Sequence, residues 1–210
     1  MSNPADFAPF HVFDSDLLPV TPWRNGGGET REVAAEPSAD GGFAWRASIA
    51  TIAQDGPFSA FPGVDRTITL LDGAGVHLVG DGLDHLLDRI GEPFSFPGDL
   101  AIDAALLGGV NRDLNIMTRR GAWAASVRTT SAPVVPTPGH AGLVYVLRGR
   151  WECGRALEPG QGAWWTADAV VTSALTPLTP LTPLTPLTPL TSLTPLTDDA
   201  LAIRADIHPV

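Results

Sequence analysis

Two segments far apart in this chain follow one local plan, and that plan excludes most folds. Thr67-Ile68-Thr69-Leu70-Leu71-Asp72-Gly73 is matched by Leu143-Val144-Tyr145-Val146-Leu147-Arg148-Gly149: a β-branched and apolar run, a charge, then glycine. Each is followed downstream by a proline–glycine turn, Phe96-Pro97-Gly98-Asp99 in the first half and Glu158-Pro159-Gly160-Gln161 in the second. Runs this short, closed by glycine or proline, are too brief for helices and suit strands. The expected class is all-β.

The other apolar runs keep the same rhythm. Strands are expected at Phe43 to Ala53, Arg66 to Leu71, Val76 to Gly80, Leu100 to Leu106, Leu114 to Arg119, Trp123 to Thr129 and Ala141 to Leu147. Asp81 to Ile90 is the one stretch read as a turn or two of helix. A strand ending in glycine, then a proline–glycine turn before the next strand, is the rhythm of a cupin jelly roll. Two copies predict a bicupin, two jelly-roll-like β-barrels in one chain. The proline cluster between Ser131 and Gly139 marks the join. Residues 1–130 are expected to form the first barrel, with the pocket, and residues 131–210 the second. The Leu-Thr-Pro array from Leu175 to Asp198, broken once at Ser192, interrupts the second barrel as a low-complexity loop. Its prolines remove amide donors and disfavour both helix and central strand, so the array is expected to add nothing to the core.

Composition excludes several functions. The net charge is −10 and all thirteen basic residues are arginine, which argues against a nucleic-acid partner. It also leaves guanidinium as the only permanent side-chain cation for holding an anion. No leader-like or membrane-spanning apolar run is present, so the expected location is the cytoplasm. Cys153 is the single cysteine, which rules out an intrachain disulfide or a thiolate metal cluster. The five histidines, His11, His77, His85, His140 and His208, are scattered without metal-ligand spacing. No histidine falls between Gly56 and Arg66, where a metal-binding cupin would carry a pair. No metal and no cofactor are expected.

The polar residues of the first half point to a pocket. Trp23-Arg24-Asn25-Gly26-Gly27-Gly28-Glu29-Thr30 sets a side-chain-free stretch of backbone beside an indole, a carboxamide and a hydroxyl. The amides of Gly26, Gly27 and Gly28 could form an anion nest. In Trp45-Arg46-Ala47-Ser48-Ile49 the period of two puts Arg46 and Ser48 on one face. The same period aligns Asp113, Asn115 and Met117, with Leu114 and Ile116 facing away. Arg66 opens a strand that otherwise reads apolar. An inward face built of Arg, Ser, Asp and Asn makes a poor core and a good binding site.

The segments PWRNGGGET (Pro22 to Thr30), WRASIATIAQDGPFSAFPGVDRTITLLDGAG (Trp45 to Gly75), FPGDLAI (Phe96 to Ile102) and DLNIMTRR (Asp113 to Arg120) resemble the HutD/Ves family of cupin-like proteins. The resemblance runs from about Leu18 to Val127 and reaches the C-terminal half only in rhythm. It implies a bicupin fold, a homodimer and, for the HutD branch, a role in histidine catabolism. There the protein would bind a small anionic intermediate, urocanate or a formylated derivative, and restrain the pathway.

The expected ligand-binding set is Trp23, Asn25, Gly26, Gly27, Gly28, Thr30, Arg46, Ser48, Arg66, Asp113, Asn115 and Met117, with no catalytic residue. Arg46 or Arg66 would grip a carboxylate in bidentate fashion, and Trp23 would stack on a planar ring. Arg24 and Arg120 are expected to lie outside the pocket. The rival reading is a metal-independent hydrolase or isomerase with Asp113 as general base. Against it, an aspartate beside an arginine is expected to be ionised and weakly basic.

Overall fold

The computed structural model describes residues 10–168 and 192–210, which form strands and turns with no helix among the described residues. From the N-terminus the strands are β1 (His11–Asp14), β2 (Val20–Pro22), β3 (Gly28–Pro37), β4 (Phe43–Ile52), β5 (Gly56–Pro57) and β6 (Val64–Asp72). Next come β7 (Val76–Gly80), β8 (Leu83–Leu87), β9 (Pro93–Pro97), β10 (Asp103–Leu106), β11 (Asn111–Arg119) and β12 (Trp123–Thr130). The chain closes with β13 (Ala141–Arg148), β14 (Trp151–Glu152), β15 (Ala156–Leu157), β16 (Gln161–Trp165), β17 (Thr194–Pro195) and β18 (Leu201–Pro209).

The helical reading of Asp81 to Ile90 is wrong. Asp81 (φ 45°) and Gly82 (φ 78°) form a two-residue turn with both residues left-handed, and β8 folds back on β7 from Gly80↔Leu83 to Val76↔Leu87. Asp-Gly between two apolar runs is a strong hairpin signal, because its twist matches that of the flanking strands.

Among the described residues the strands make four antiparallel sheets. The six-stranded sheet runs β2-β3-β4-β11-β6-β9 and the five-stranded sheet β1-β16-β13-β18-β12. Two small sheets, β5-β10-β7-β8 and β15-β14-β17, cover their outer faces. Within the large sheets β4-β11-β6-β9 and β12-β18-β13-β16 follow the same order, so the echoing strands β6 and β13 occupy equivalent places. The turns correspond differently from the expected match. Gly160 (φ 86°) donates its amide to Val146 O at 3.0 Å, and the residue doing the same in the first half is Gly91 (φ 83°), to Leu70 O at 2.9 Å. Pro97-Gly98 is a separate turn that closes on Val64 and Phe61. β1 and β12 both precede residue 131, yet they pair with strands that follow it.

Strand alternation sets the layers. Trp45, Ala47, Ile49, Leu114 and Ile116 leave one face of the six-stranded sheet and pack on Leu143, Tyr145, Ala205 and Ile207 of the five-stranded sheet. Ile52, Ile68 and Leu70 leave the opposite face and pack on Val76, Leu78 and Leu87 of the small sheet. Each such side chain withdrawn from water contributes roughly 1.5–3 kcal/mol. On the far side Val144, Val146 and Ala202 close on Trp151, Leu157 and Trp165.

Most of the Leu-Thr-Pro array, residues 175–191, lies outside the described residues. Its last part does enter the core, against expectation. Leu193 is fully buried in the Trp151–Trp165 cluster, and Thr194–Pro195 form the edge strand β17 on β14. Proline is tolerated there because an edge strand has one side free of ladder bonds.

Candidate functional site

Only part of the outer face of the six-stranded sheet is apolar. Where Ile52, Ile68 and Leu70 end, Arg46, Ser48, Arg66, Asp113, Asn115 and Met117 begin, and they line a cavity of about 540 Å³. Register accounts for the grouping. On the central strand β11, Met117 lies opposite Arg46 on β4 and Arg66 on β6, Asn115 opposite Ser48, and Asp113 opposite Ala50. The period of two puts Arg46 with Ser48, and Asp113 with Asn115 and Met117, on one face of their strands, and sheet register brings the two sets and Arg66 together.

Trp23, Asn25 and Thr30 complete the expected lining, with the indole N–H of Trp23 donating to Thr30 Oγ1 at 2.8 Å. The glycines do not line the cavity. Gly26 N donates to Trp23 O at 3.0 Å and Gly27 N to Asn25 Oδ1 at 3.0 Å, so two of the three amides of the expected nest are committed inside the turn. What approaches Gly28 is the chain itself: a Cβ there would collide with Thr51 O and meet the Trp23 ring at 2.9 Å. The triplet thus seats Trp23 against β4.

Arg66 is 6% exposed. Its Nη2 donates to Asn115 Oδ1 at 2.7 Å and its Nη1 to Ser59 O at 3.3 Å, while its Nε has no partner among the described residues. Phe58, Phe61 and Phe96 surround the guanidinium with ring centroids 5.3, 5.4 and 5.1 Å away, a cation–π setting that partly replaces lost hydration. Burial pulls its pKa down to about 10, opposed by Asp113 and assisted by Arg46, so it stays charged.

Asp113 is buried, and Asn115 Nδ2 donates to its Oδ1. Its Oδ2 has no partner among the described residues. Burial pushes the carboxyl up to about 7, against the pull of Arg66 and of the Asn115 hydrogen bond. The carboxyl is therefore not the ordinary, weakly basic aspartate expected beside an arginine, because desolvation outweighs the neighbouring charge.

Arg46 is held differently. Its Nε donates to Glu32 Oε2 at 2.8 Å, and its side chain is 22% exposed. Arg24, expected outside, lines the cavity as an exposed residue beside Thr21 and Pro22. Arg120 does lie apart, bound to Asp65 and Asp99 at 2.8 and 2.6 Å. Phe58, Ser59 and Phe61, which border the cavity between β5 and β6, were not anticipated. The signal was present in Gly56-Pro57-Phe58-Ser59-Ala60-Phe61-Pro62-Gly63, two aromatics in a turn-rich segment with no strand of their own to pack.

The second half differs at the equivalent place. β13 and β18 repeat the pairing of β6 and β11, with Gly142 opposite Asp206 as Arg66 is opposite Met117. A Cβ on Gly142 would collide with the Trp165 ring, so an indole fills the region that Arg66 and the cavity occupy in the first half. At the border of this filled region stand His140, Asp206 and His208, each offering a ligand atom within 4.8 Å of the others. The scattered-histidine reading considered spacing along the chain, and sheet pairing brings these three together.

The comparisons agree with the architecture. Residues 16–180 match the family model described as HutD. The Ves protein of Citrobacter koseri is 47% identical over 156 residues, which is 73% of this chain and 81% of that protein. The Ves protein of Cronobacter sakazakii is 46% identical over 157 residues, 73% of this chain and 85% of that one. The structure of HutD from Pseudomonas fluorescens superposes with a TM-score of 0.76 at 25% identity, covering 96% of this chain and 99% of that chain. A cupin 2 conserved barrel domain protein from Leptotrichia buccalis, at 9% identity, gives 0.55 over 95% and 96% of the two chains, a likeness of fold alone.

Proposed function

The chain belongs to the HutD family, and on that footing we propose that it is a small-molecule-binding regulator. Its ligand is a small anionic intermediate of histidine catabolism, urocanate or a formylated derivative, held in the Arg66 cavity. The observation that carries this reading is that two residues lining the cavity each keep a buried polar atom without a partner among the described residues: Arg66 Nε and Asp113 Oδ2. Buried polar atoms without partners are costly, and a carboxylate ligand would relieve both. It would accept from the guanidinium, and it would accept again from Asp113 in its protonated form.

Charge supports the same ligand class. Arg24, Arg46 and Arg66 line the cavity, with Asp113 the one acid among the described lining residues, in a chain of net charge −10 overall. The rings of Trp23, Phe58 and Phe61 offer flat apolar surface to a planar ligand. In this reading the two sheet pairs are two jelly-roll barrels, and the protein acts as a cytoplasmic homodimer that reports ligand level without transforming it.

Calorimetry with urocanate, followed by hours of monitoring its ultraviolet spectrum, tests the proposal. One urocanate bound per chain with an unchanged spectrum is the expected result. Consumption of the compound would convert the site to an enzyme with Asp113 as acid–base group. Absence of binding by urocanate and its formylated derivative would overturn the ligand assignment.

A further inference from the structure

His140 precedes β13, and Asp206 and His208 lie on the adjacent strand β18, where sheet register sets Gly142 opposite Asp206 and Ala141 opposite Ile207. The two imidazoles stack with centroids 4.9 Å apart and planes inclined by 25°. His140 Nδ1 lies 2.8 Å from Asp206 Oδ2. Asp206 Oδ1 is bound separately, accepting from Arg204 Nη2 at 3.1 Å and from Thr137 Oγ1 at 3.3 Å. The carboxylate is therefore oriented through one oxygen, and the other is directed at the histidine. His208 Nδ1 is buried and has no hydrogen-bond partner among the described residues.

We propose that His140, Asp206 and His208 form a binding site for a borderline divalent transition-metal ion, with Zn²⁺ the representative. Three protein ligands of the types imidazole, imidazole and carboxylate leave a further coordination position open, the ligand count of an open zinc site. Thr137 and Arg204 are the outer shell that holds the carboxylate in orientation. His208, whose Nδ1 has no partner among the described residues, has a ring nitrogen to offer the ion. Metal entry takes the place of the proton shared between His140 Nδ1 and Asp206 Oδ2.

The chemistry of the set also selects the ion. The Arg204 guanidinium offsets the charge of Asp206, so attraction to the carboxylate alone is weak. Ca²⁺ and Mg²⁺ depend on several oxygen ligands and find one side-chain carboxylate here. Zn²⁺, Co²⁺ and Ni²⁺ bind through imidazole lone pairs, which Arg204 does not neutralise. The three ligand atoms, now within 4.8 Å, must draw in to roughly 3.3 Å for tetrahedral bonds of about 2.0–2.1 Å. Rotation of two partly exposed histidine rings can supply such a movement.

The test uses the full, untagged chain, treated with chelator and desalted. Zn²⁺ is titrated by calorimetry, and Co²⁺ by the visible absorption of its imidazole complexes. The expected result is one ion per chain, unaffected by excess Ca²⁺ or Mg²⁺. His208→Gln and His140→Gln should each weaken it by at least about tenfold, the lower bound seen when even an outer-shell group is lost. His77→Ala, which alters an exposed histidine–aspartate pair elsewhere, should leave it unchanged. Melting in chelator establishes that each variant is folded, and Asp206→Asn serves if one of the histidine variants is not. No stoichiometric Zn²⁺ binding by wild type, equal binding by the folded variants, or equal competition by Ca²⁺ would each overturn the site.

Discussion

Arg66 donates through Nη2 to Asn115 Oδ1 at 2.7 Å, and the amide of that asparagine donates to Asp113, so one side chain joins a buried guanidinium to a buried carboxyl. The arrangement holds the cation without a direct hydrogen bond to the acid, and each group keeps one buried atom without a partner among the described residues.

Arg66→Ala should weaken urocanate binding by roughly 2–5 kcal/mol, the usual result of removing one partner from a buried charge pair. That exceeds a tenfold change in Kd. Arg46→Ala should do less, because Arg46 is partly exposed and already engaged by Glu32. Arg66→Lys should restore only part of the loss, since an ammonium lacks the planar fork. Calorimetry on folded variants decides; equal affinities would assign the guanidinium to the fold alone.

Asp113 should make the protein less stable as pH rises. Its folded pKa, about 7, lies above the ordinary 3.8. Below about pH 4 its contribution is fully present, and it is lost progressively as pH climbs through about 7. The displacement corresponds to at most roughly 4 kcal/mol. Asp113→Asn should therefore raise Tm at pH 8 and change it little near pH 4. The same titration predicts weaker binding of an anionic ligand above pH 7 in wild type. A Tm difference independent of pH would show that Asp113 is ionised throughout.

Two neighbouring glycines should behave differently. Gly28→Ala forces a Cβ against Thr51 O and the Trp23 ring, which should lower stability by about 1–3 kcal/mol and weaken ligand binding through displaced Trp23. Gly26 has φ 72° and open space around it, so Gly26→Ala adds only left-handed strain of about 1–2 kcal/mol. Ligand affinity measured beside Tm separates the two, and unchanged affinity in Gly28→Ala would remove Trp23 from the site.

Leu193→Ala should cost about 2–5 kcal/mol, because the side chain is fully buried among Trp151, Leu157 and Trp165. Leu196→Ala, three residues later and 49% exposed, should stay within about 0.5 kcal/mol. Denaturant unfolding of the pair measures how far the array's end is part of the core. Similar small effects would mean that β17 is dispensable.

Much of the cavity wall was legible because alternation is a local property. Arg46 with Ser48, and Asp113 with Asn115 and Met117, lie on the faces their spacing assigns, and the alternate residues fill the apolar layer. The pairing of strands is not local, so the association of β1 and β12 with the later strands could not be read from their residues. The cluster of His140, Asp206 and His208 was hidden for the same reason. β3 was missed because Gly28–Pro37 is rich in charge and its two buried apolar residues, Val33 and Ala34, are adjacent and break the period at a bulge. The raised pKa of Asp113 follows from burial, which a neighbouring arginine in the sequence does not reveal.

The layer formed by Trp45, Ile49 and Leu114 against Leu143 and Ile207 acts as a party wall. Each large sheet turns its inner apolar face to the other, so neither can be stripped away without wetting its neighbour. Unfolding should then be a single cooperative step, with calorimetric and van't Hoff enthalpies in agreement. A protease cut between Ser131 and Gly139 should leave two fragments that remain joined and elute as one body.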